Sequence, residues 1–364
     1  MLSRYRSGFL LMPLAALSLL AALWAGLARL GWNLPQPTIE LPANHGPLML
    51  VGFLGTLISL ERAVALDRLW AYGAPHFAGL GALALLAGLP PWLGHAMATT
   101  ASLFLVADFV FFYRQQPSAS IATMGLGALL WFGGNLLWLS GFSLHRVVPW
   151  WIGFLVVTIA GERLELSRLL RLSPWDRIKF LLANGCMVSG LLASLVFFNY
   201  GVWFAGVGLV ALALWLLRYD IAWRTVRHTG LPRFMAICLL CGYIWLGVGG
   251  VLWMIFPEFF NAGPYYDAML HSIFLGFVFS MIFAHAPVIF PSITGITMPF
   301  LRRFYVHLAL LHLSLFLRVW GGLGMWSSAQ RWGGLLNALA ILVFLANNVR
   351  AVRQGRSGFT AARS

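Results

Sequence analysis

Twelve runs of predominantly apolar residues, each long enough to cross a hydrocarbon core about 30 Å thick, follow one another along this chain. They fall at about 8–30, 44–66, 74–93, 95–113, 118–142, 147–170, 178–198, 200–218, 233–256, 267–292, 303–320 and 331–349. In lipid such runs must satisfy their backbone polar groups internally, so each is expected as a helix. The expected fold is therefore an all-α membrane protein, a bundle of twelve transmembrane helices. Only 9% of the residues are charged, against roughly a quarter in a soluble domain, and a water-soluble fold of this size is excluded.

The formal charge of +14 does not point to nucleic acid. The basic residues are dealt out in small groups between the apolar runs, as orientation charges are, not gathered on one face. With the N-terminus inside, all 24 Lys and Arg residues except Arg29, Arg146, Arg318 and Arg331 fall at cytoplasmic ends. Both termini are accordingly expected in the cytoplasm, in a multi-pass protein of a bacterial-type inner membrane. The first run follows Arg4 and Arg6, is too long for a signal-peptide core, and lacks a small-residue cleavage pattern. It reads as a retained span. Residues 1–349 then form a single transmembrane domain, and 350–364 a short, basic, disordered cytoplasmic tail. The partner implied directly is the lipid bilayer.

An internal repeat is visible in the second, sixth and tenth runs. Gly52-Phe53-Leu54 precedes Glu61-Arg62, and Gly153-Phe154-Leu155 precedes Glu162-Arg163, with the same Gly-to-Glu spacing of nine. Gly276-Phe277 is followed at that spacing by His285. Three pseudo-symmetric units of four helices are expected, at about 1–115, 116–220 and 221–349.

His45 opens the second run and His271 lies one turn into the tenth. Neutral imidazoles on two such helices are suited to hold a haem iron axially, with the macrocycle between helices. Gly46, Gly52, Gly55, Ser272 and Gly276 are small enough to leave room for it. The competing reading of either histidine is an interfacial side chain bonded to a backbone carbonyl.

These residues carry a family resemblance. His45 to Gly52-Phe53 resembles the His-x-His-Glu-Met-Leu-x-Gly-Phe stretch in the second span of the NnrS family. His271-Ser-Ile-Phe-Leu-Gly276 with Ser280-Met281-Ile282 is similar to that family's later His-Ala-x-x-x-Gly-x-x-Gly-Thr-Met stretch. Arg6-Ser-Gly-Phe9-Leu10-Leu11 is similar to its Arg-Pro-Phe-Phe-Leu-Leu start. NnrS proteins are multi-span membrane proteins with haem and copper, linked to nitric oxide metabolism. The twelve-helix plan also resembles the catalytic subunit of haem–copper oxidases, where histidines of helices two and ten hold a low-spin haem near the outer face. The resemblance implies one b-type haem on His45 and His271, and a respiratory electron donor as partner. Copper is possible on that resemblance but its ligands are not identified: Pro47 and Leu48 stand where the family has His and Glu, and no His-His pair occurs in the seventh run. Dioxygen-reducing activity is not expected.

Glu61, Arg62, Glu162, Arg163 and His285 form an expected intramembrane charge network. Adjacent helix residues diverge by about 100°, so cross-unit pairing of Glu61 with Arg163 and Glu162 with Arg62 is expected rather than pairing within each doublet. Snorkelling to cytoplasmic headgroups is the plainer alternative, and a proton relay through Glu61, Glu162 and His285 a third. His271 and His285, 14 residues apart, would share a face of a continuous α-helix at about 21 Å. His307 and His312 read as satisfied interior histidines, Asp108 as bonded to a neighbouring helix, Trp150-Trp151 as an interfacial belt, and Cys238 and Cys241 as buried small side chains. No Walker loop or Ser-His-Asp order is present. Three functions remain: a haem-binding protein, a small-solute permease using the intramembrane charges, and a non-catalytic respiratory assembly factor.

Overall fold

The computed structural model describes residues 2–35, 40–170 and 172–361, all helical or connecting, with no strand among them. The long helices, in chain order, are α1 (Leu2–Arg29), α2 (His45–Leu66), α3 (Leu69–Leu86), α4 (Pro91–Gln115), α5 (Ala119–Leu139), α6 (Leu144–Leu166), α7 (Pro174–Ala193), α8 (Phe198–Tyr219), α9 (Leu231–Ile255), α10 (Gly263–Thr294), α11 (Phe304–Leu323) and α12 (Ser327–Ala361). Among the described residues, eleven of these are long and apolar enough to cross a membrane. The exception is α7. Its first two turns carry Asp176, Arg177 and Lys179, which sit inside every window of that helix long enough to span.

Local chemistry starts several helices where the sequence permits it. Proline occupies the first turn of α4, α7, α9 and α10, where its missing N–H has no intrahelical partner to lose. Ser118 caps α5 by accepting from Ile121 N at 3.2 Å. Ser173 and Asp176 form a reciprocal capping box at the start of α7. The Ser173 hydroxyl, donating to the Asp176 carboxylate at 2.6 Å, is the first cause holding that carboxyl down at about 2. Because the value is depressed, this cap is complete above the ordinary carboxylate range and weakens only as pH falls toward 2. A carboxyl NMR titration is expected to show this; a value near 4 would mean the Ser173 bond is not kept in solution.

The chain divides into two compact units, one of residues 1–154 with 293–295, the other of 155–292 with 296–364. In the first, α3 and α4 form a hairpin joined through residues 87–90, α5 packs on α4, and α1 packs on α2 and α3. In the second, α7–α8 and α11–α12 are antiparallel hairpins and α9 packs against both α8 and α10. The α7–α8 turn lies at 194–197, and Asn199-Tyr200 fall within the first turn of α8. The C-terminal segment expected as a disordered tail continues α12 as helix through Ala361, and 362–364 lie outside the described residues.

Two helices are not α-helical throughout. Leu48–Gly55 within α2 and Ser272–Phe279 within α10 are π-helical, eight residues each. In both, the glycine of the Gly-Phe repeat, Gly52 or Gly276, is the fifth π-helical residue. The third member, Gly153-Phe154 on α6, lies in continuous α-helix. A segment of this kind usually amounts to one widened turn and recurs at functional positions. Two eight-residue stretches in matched register set α2 and α10 apart from the other long helices.

Candidate functional site: two histidines at the head of π-helical segments

His45 sits three residues before the π-helical segment of α2. Its Nδ1 lies 2.7 Å from the carbonyl oxygen of Ala22 on α1. A carbonyl can only accept, so Nδ1 carries the proton and the ring lone pair is on Nε2. The ring lies over Gly26 of α1, where a Cβ would be 2.8 Å from Cε1. Gly26 therefore makes the berth for the imidazole, and the sequence reading missed it.

His271 immediately precedes the π-helical segment of α10. Its Nδ1 is 2.8 Å from Asp267 O and 3.2 Å from Asp267 Oδ1, so it too is the Nδ1–H tautomer. Asp267 is itself held by Arg318 of α11 through two parallel bonds, Nε to Oδ2 at 2.8 Å and Nη2 to Oδ1 at 2.6 Å. This His–Asp–Arg arrangement resembles the outer shell that orients a metal-ligating imidazole and raises its basicity. Asp267 and Arg318 were not singled out in the sequence. The available signals were the Asp267-to-His271 spacing of four and an arginine inside an apolar run.

The small residues expected to leave room for a macrocycle do something else. A Cβ on Gly52 would meet Ala82 at 2.7 Å and Ser18 at 2.9 Å, and one on Gly55 would meet Trp131 at 2.6 Å. A Cβ on Gly276 would collide with Trp245, whose Nε1–H donates to His312 Nδ1 at 3.1 Å. Ser272 is fully buried and bonds Ala268 O. These residues serve close helix packing around the π-helical segments. Of the five, Gly46 beside His45 has nothing within 4 Å of its Cβ position. The donor chemistry of the two imidazoles fits an iron; the expected glycine seat is filled by protein, except at Gly46.

Arg163 on α6 takes Asp220 as its partner, Nε to Oδ2 at 2.7 Å and Nη2 to Oδ1 at 3.0 Å, both side chains buried. The sequence reading gave Arg163 a cross-unit partner in Glu61 and overlooked Asp220, which lies just past the end of α8. Glu61 and Arg62 approach each other at 3.5 Å. The doublet therefore does make a long ion contact, because long side chains can swing across the 100° between neighbours. Glu162 is partly exposed beside Arg163. His285 donates from Nδ1 to Met281 O at 2.7 Å. The shared face expected for His271 and His285 assumed a continuous α-helix. The intervening π-helical turns advance less per residue, so α-helical phase does not relate the two rings.

Other expectations shift as well. Asp108 is fully buried on α4, and neither of its oxygens has a hydrogen-bond partner, so it does not bond a neighbouring helix. Trp150 and Trp151 are buried, Trp151 donating to Asn135 Oδ1 at 2.8 Å, and so belong to the core rather than to an interfacial belt. His312 accepts from Trp245, and His307 Nδ1 is 3.1 Å from Asn347 Nδ2. In each of them the other ring nitrogen is buried without a hydrogen bond, so these interior histidines are only half satisfied. Cys238 and Cys241 are free thiols. Among the described residues no group of three or more His, Cys, Asp or Glu is placed to hold a metal ion.

A many-span helical bundle with buried ion pairs and matched π-helical segments defines a polytopic α-helical membrane protein. The chain belongs to the DUF8744 family, described as a domain of unknown function, which it matches over residues 8–353. No curated protein matches it.

Proposed function

We propose that this chain is a haem-binding integral membrane protein in which His45 and His271 ligate one b-type haem, acting in electron transfer or in nitric oxide and respiratory metabolism. The observation carrying the reading is at His45, whose Nδ1 bonds the Ala22 carbonyl of another helix while its ring rests against Gly26, an arrangement that puts the ring lone pair on Nε2. The i−4 carbonyl bond of His271 gives it the same tautomer and fits the plainer interfacial reading equally well. A haem ligand requires that tautomer. A helical histidine bonding its own i−4 carbonyl is common, and His76 does the same with Tyr72. His45 is different: its partner is on another helix, 23 residues earlier, and its ring rests in a glycine berth. When bound, the haem would supply one-electron chemistry at its iron. The chain's part is to orient the two rings, with Asp267 and Arg318 steadying His271.

The reading includes twelve crossings, three related four-helix units, and both ends in the cytoplasm of a bacterial-type inner membrane. Support for the twelfth crossing comes from α7. It runs antiparallel along the whole of α8, from Trp215 Nε1 on Asp176 O (2.8 Å) to the glycine contacts of Gly190 and Gly201. A second reading, a small-solute permease, is favoured by the buried Arg163–Asp220 and Asp267–Arg318 pairs, since charges are retained in spans for use.

The test is an optical spectrum of detergent-purified protein, oxidised and reduced, with a haemochrome count. One haem per chain is expected, with loss of the reduced band in His45→Ala and in His271→Ala while both variants stay folded. A colourless wild type from haem-replete cells would overturn the proposal and favour the permease.

A further inference from the structure

Asp108 stands apart from every other acid in the described spans. It lies on α4, two turns from the end that carries Arg114, and its side chain is completely buried. Both carboxyl oxygens lack a hydrogen bond, and no ion pair reaches them. The elements packed against α4 are α2, α3 and α5. Their ionisable side chains are His45, Glu61 and Arg62 on α2 and Tyr72 and His76 on α3; α5 has none. None of these is within bonding distance of Asp108. By contrast, Asp220 and Asp267 each face an arginine, and Asp176 is bonded to Ser173.

An ionised carboxylate in apolar surroundings without donor or counter-charge is far costlier than the neutral acid, which leaves only a hydroxyl and a carbonyl unsatisfied. A metal cation would need several oxygens converging on it, and among the described residues no group of three or more His, Cys, Asp or Glu forms around Asp108. What completes this site is a proton.

We propose that Asp108 is a proton-binding site within the membrane domain, carrying its proton on a carboxyl oxygen in the conformation described here. Release of that proton requires the first unit to rearrange so that a donor or water reaches the carboxylate. The proposal is independent of haem binding and serves either functional reading.

Two measurements on the full-length protein in lipid nanodiscs test this. In infrared spectra at neutral pH, the wild type is expected to show the carbonyl stretch of a protonated, hydrogen-bond-free carboxylic acid. The band should shift when aspartate carboxyls carry carbon-13 and vanish in Asp108→Asn. In thermal unfolding, Asp108→Leu is expected to be at least as stable as wild type, because an apolar side chain of similar size removes an orphaned polar group. Absence of the band in folded wild type, or its persistence in Asp108→Asn, would overturn the proposal. So would a marked loss of stability in Asp108→Leu, which would show that the carboxyl serves the fold.

Discussion

Replacing Asp220 by alanine is expected to destabilise the protein by about 3–5 kcal/mol, because the change leaves the buried Arg163 guanidinium without its counter-charge. The geometry makes the loss large. Two parallel bonds join the pair, Asp220 Oδ1 also accepts from Ala222 N at 2.7 Å, and the Ser167 hydroxyl bonds the Arg163 carbonyl at 2.7 Å. One carboxylate thus ties the end of α6 to the end of α8 and starts the next turn of chain. Arg163→Ala should cost a similar amount. The double change Arg163→Met with Asp220→Leu removes both charges and should recover most of the loss, since apolar side chains of matched volume often replace a buried pair without penalty. Thermal unfolding of the purified variants in one detergent distinguishes the cases. Single variants that unfold with the wild type would mean that water reaches the pair.

That pair also shows where sequence reading stopped. The repeated Glu-Arg doublet drew attention to Arg163 correctly, but the partner came from a loop residue 57 positions later, and no periodicity connects a helix end to a loop. Span positions were legible because lipid sets their length and forbids unpaired backbone. The π-helical segments were not. They are made of the same apolar residues as their neighbours, and a widened turn is decided by what packs against it. Trp245 against Gly276, held by His312, is such a contact, and so is Trp131 against Gly55. The same blindness misassigned the glycines: a small residue beside a histidine reads equally well as room for a ligand or as a seat for another helix. Asp108 was visible as a lone acid in an apolar run, but whether it had a partner was a question of tertiary contact.

Gly201→Ala is the substitution that best separates these two uses of glycine, and it is expected to destabilise the α7–α8 hairpin. A Cβ there would fall on the backbone N and Cα of Ser194, with Gly190 O at 2.7 Å, and no flexible side chain can swing aside to admit it. Gly190 makes the reciprocal contact with the backbone of Ala205, and Gly208 with that of Met187. Helices in lipid lack a hydrophobic drive to associate, so close backbone approach of this kind supplies much of their attraction. It matters most for α7, whose charged first turns make it the least suited of the long helices to stand alone in lipid. Alanine ordinarily favours a helix over glycine by about 0.5–1 kcal/mol. Overpacking costs about 1–3 kcal/mol or more, so the clash should win at Gly201, and Gly201→Leu should prevent the hairpin from closing. Gly185 on the same hairpin has nothing within 4 Å of its Cβ position. Gly185→Ala should therefore keep or slightly raise the thermal midpoint. If Gly201→Ala and Gly185→Ala unfold together, the two backbones do not touch, and the support that α7 draws from α8 for a twelfth crossing is lost.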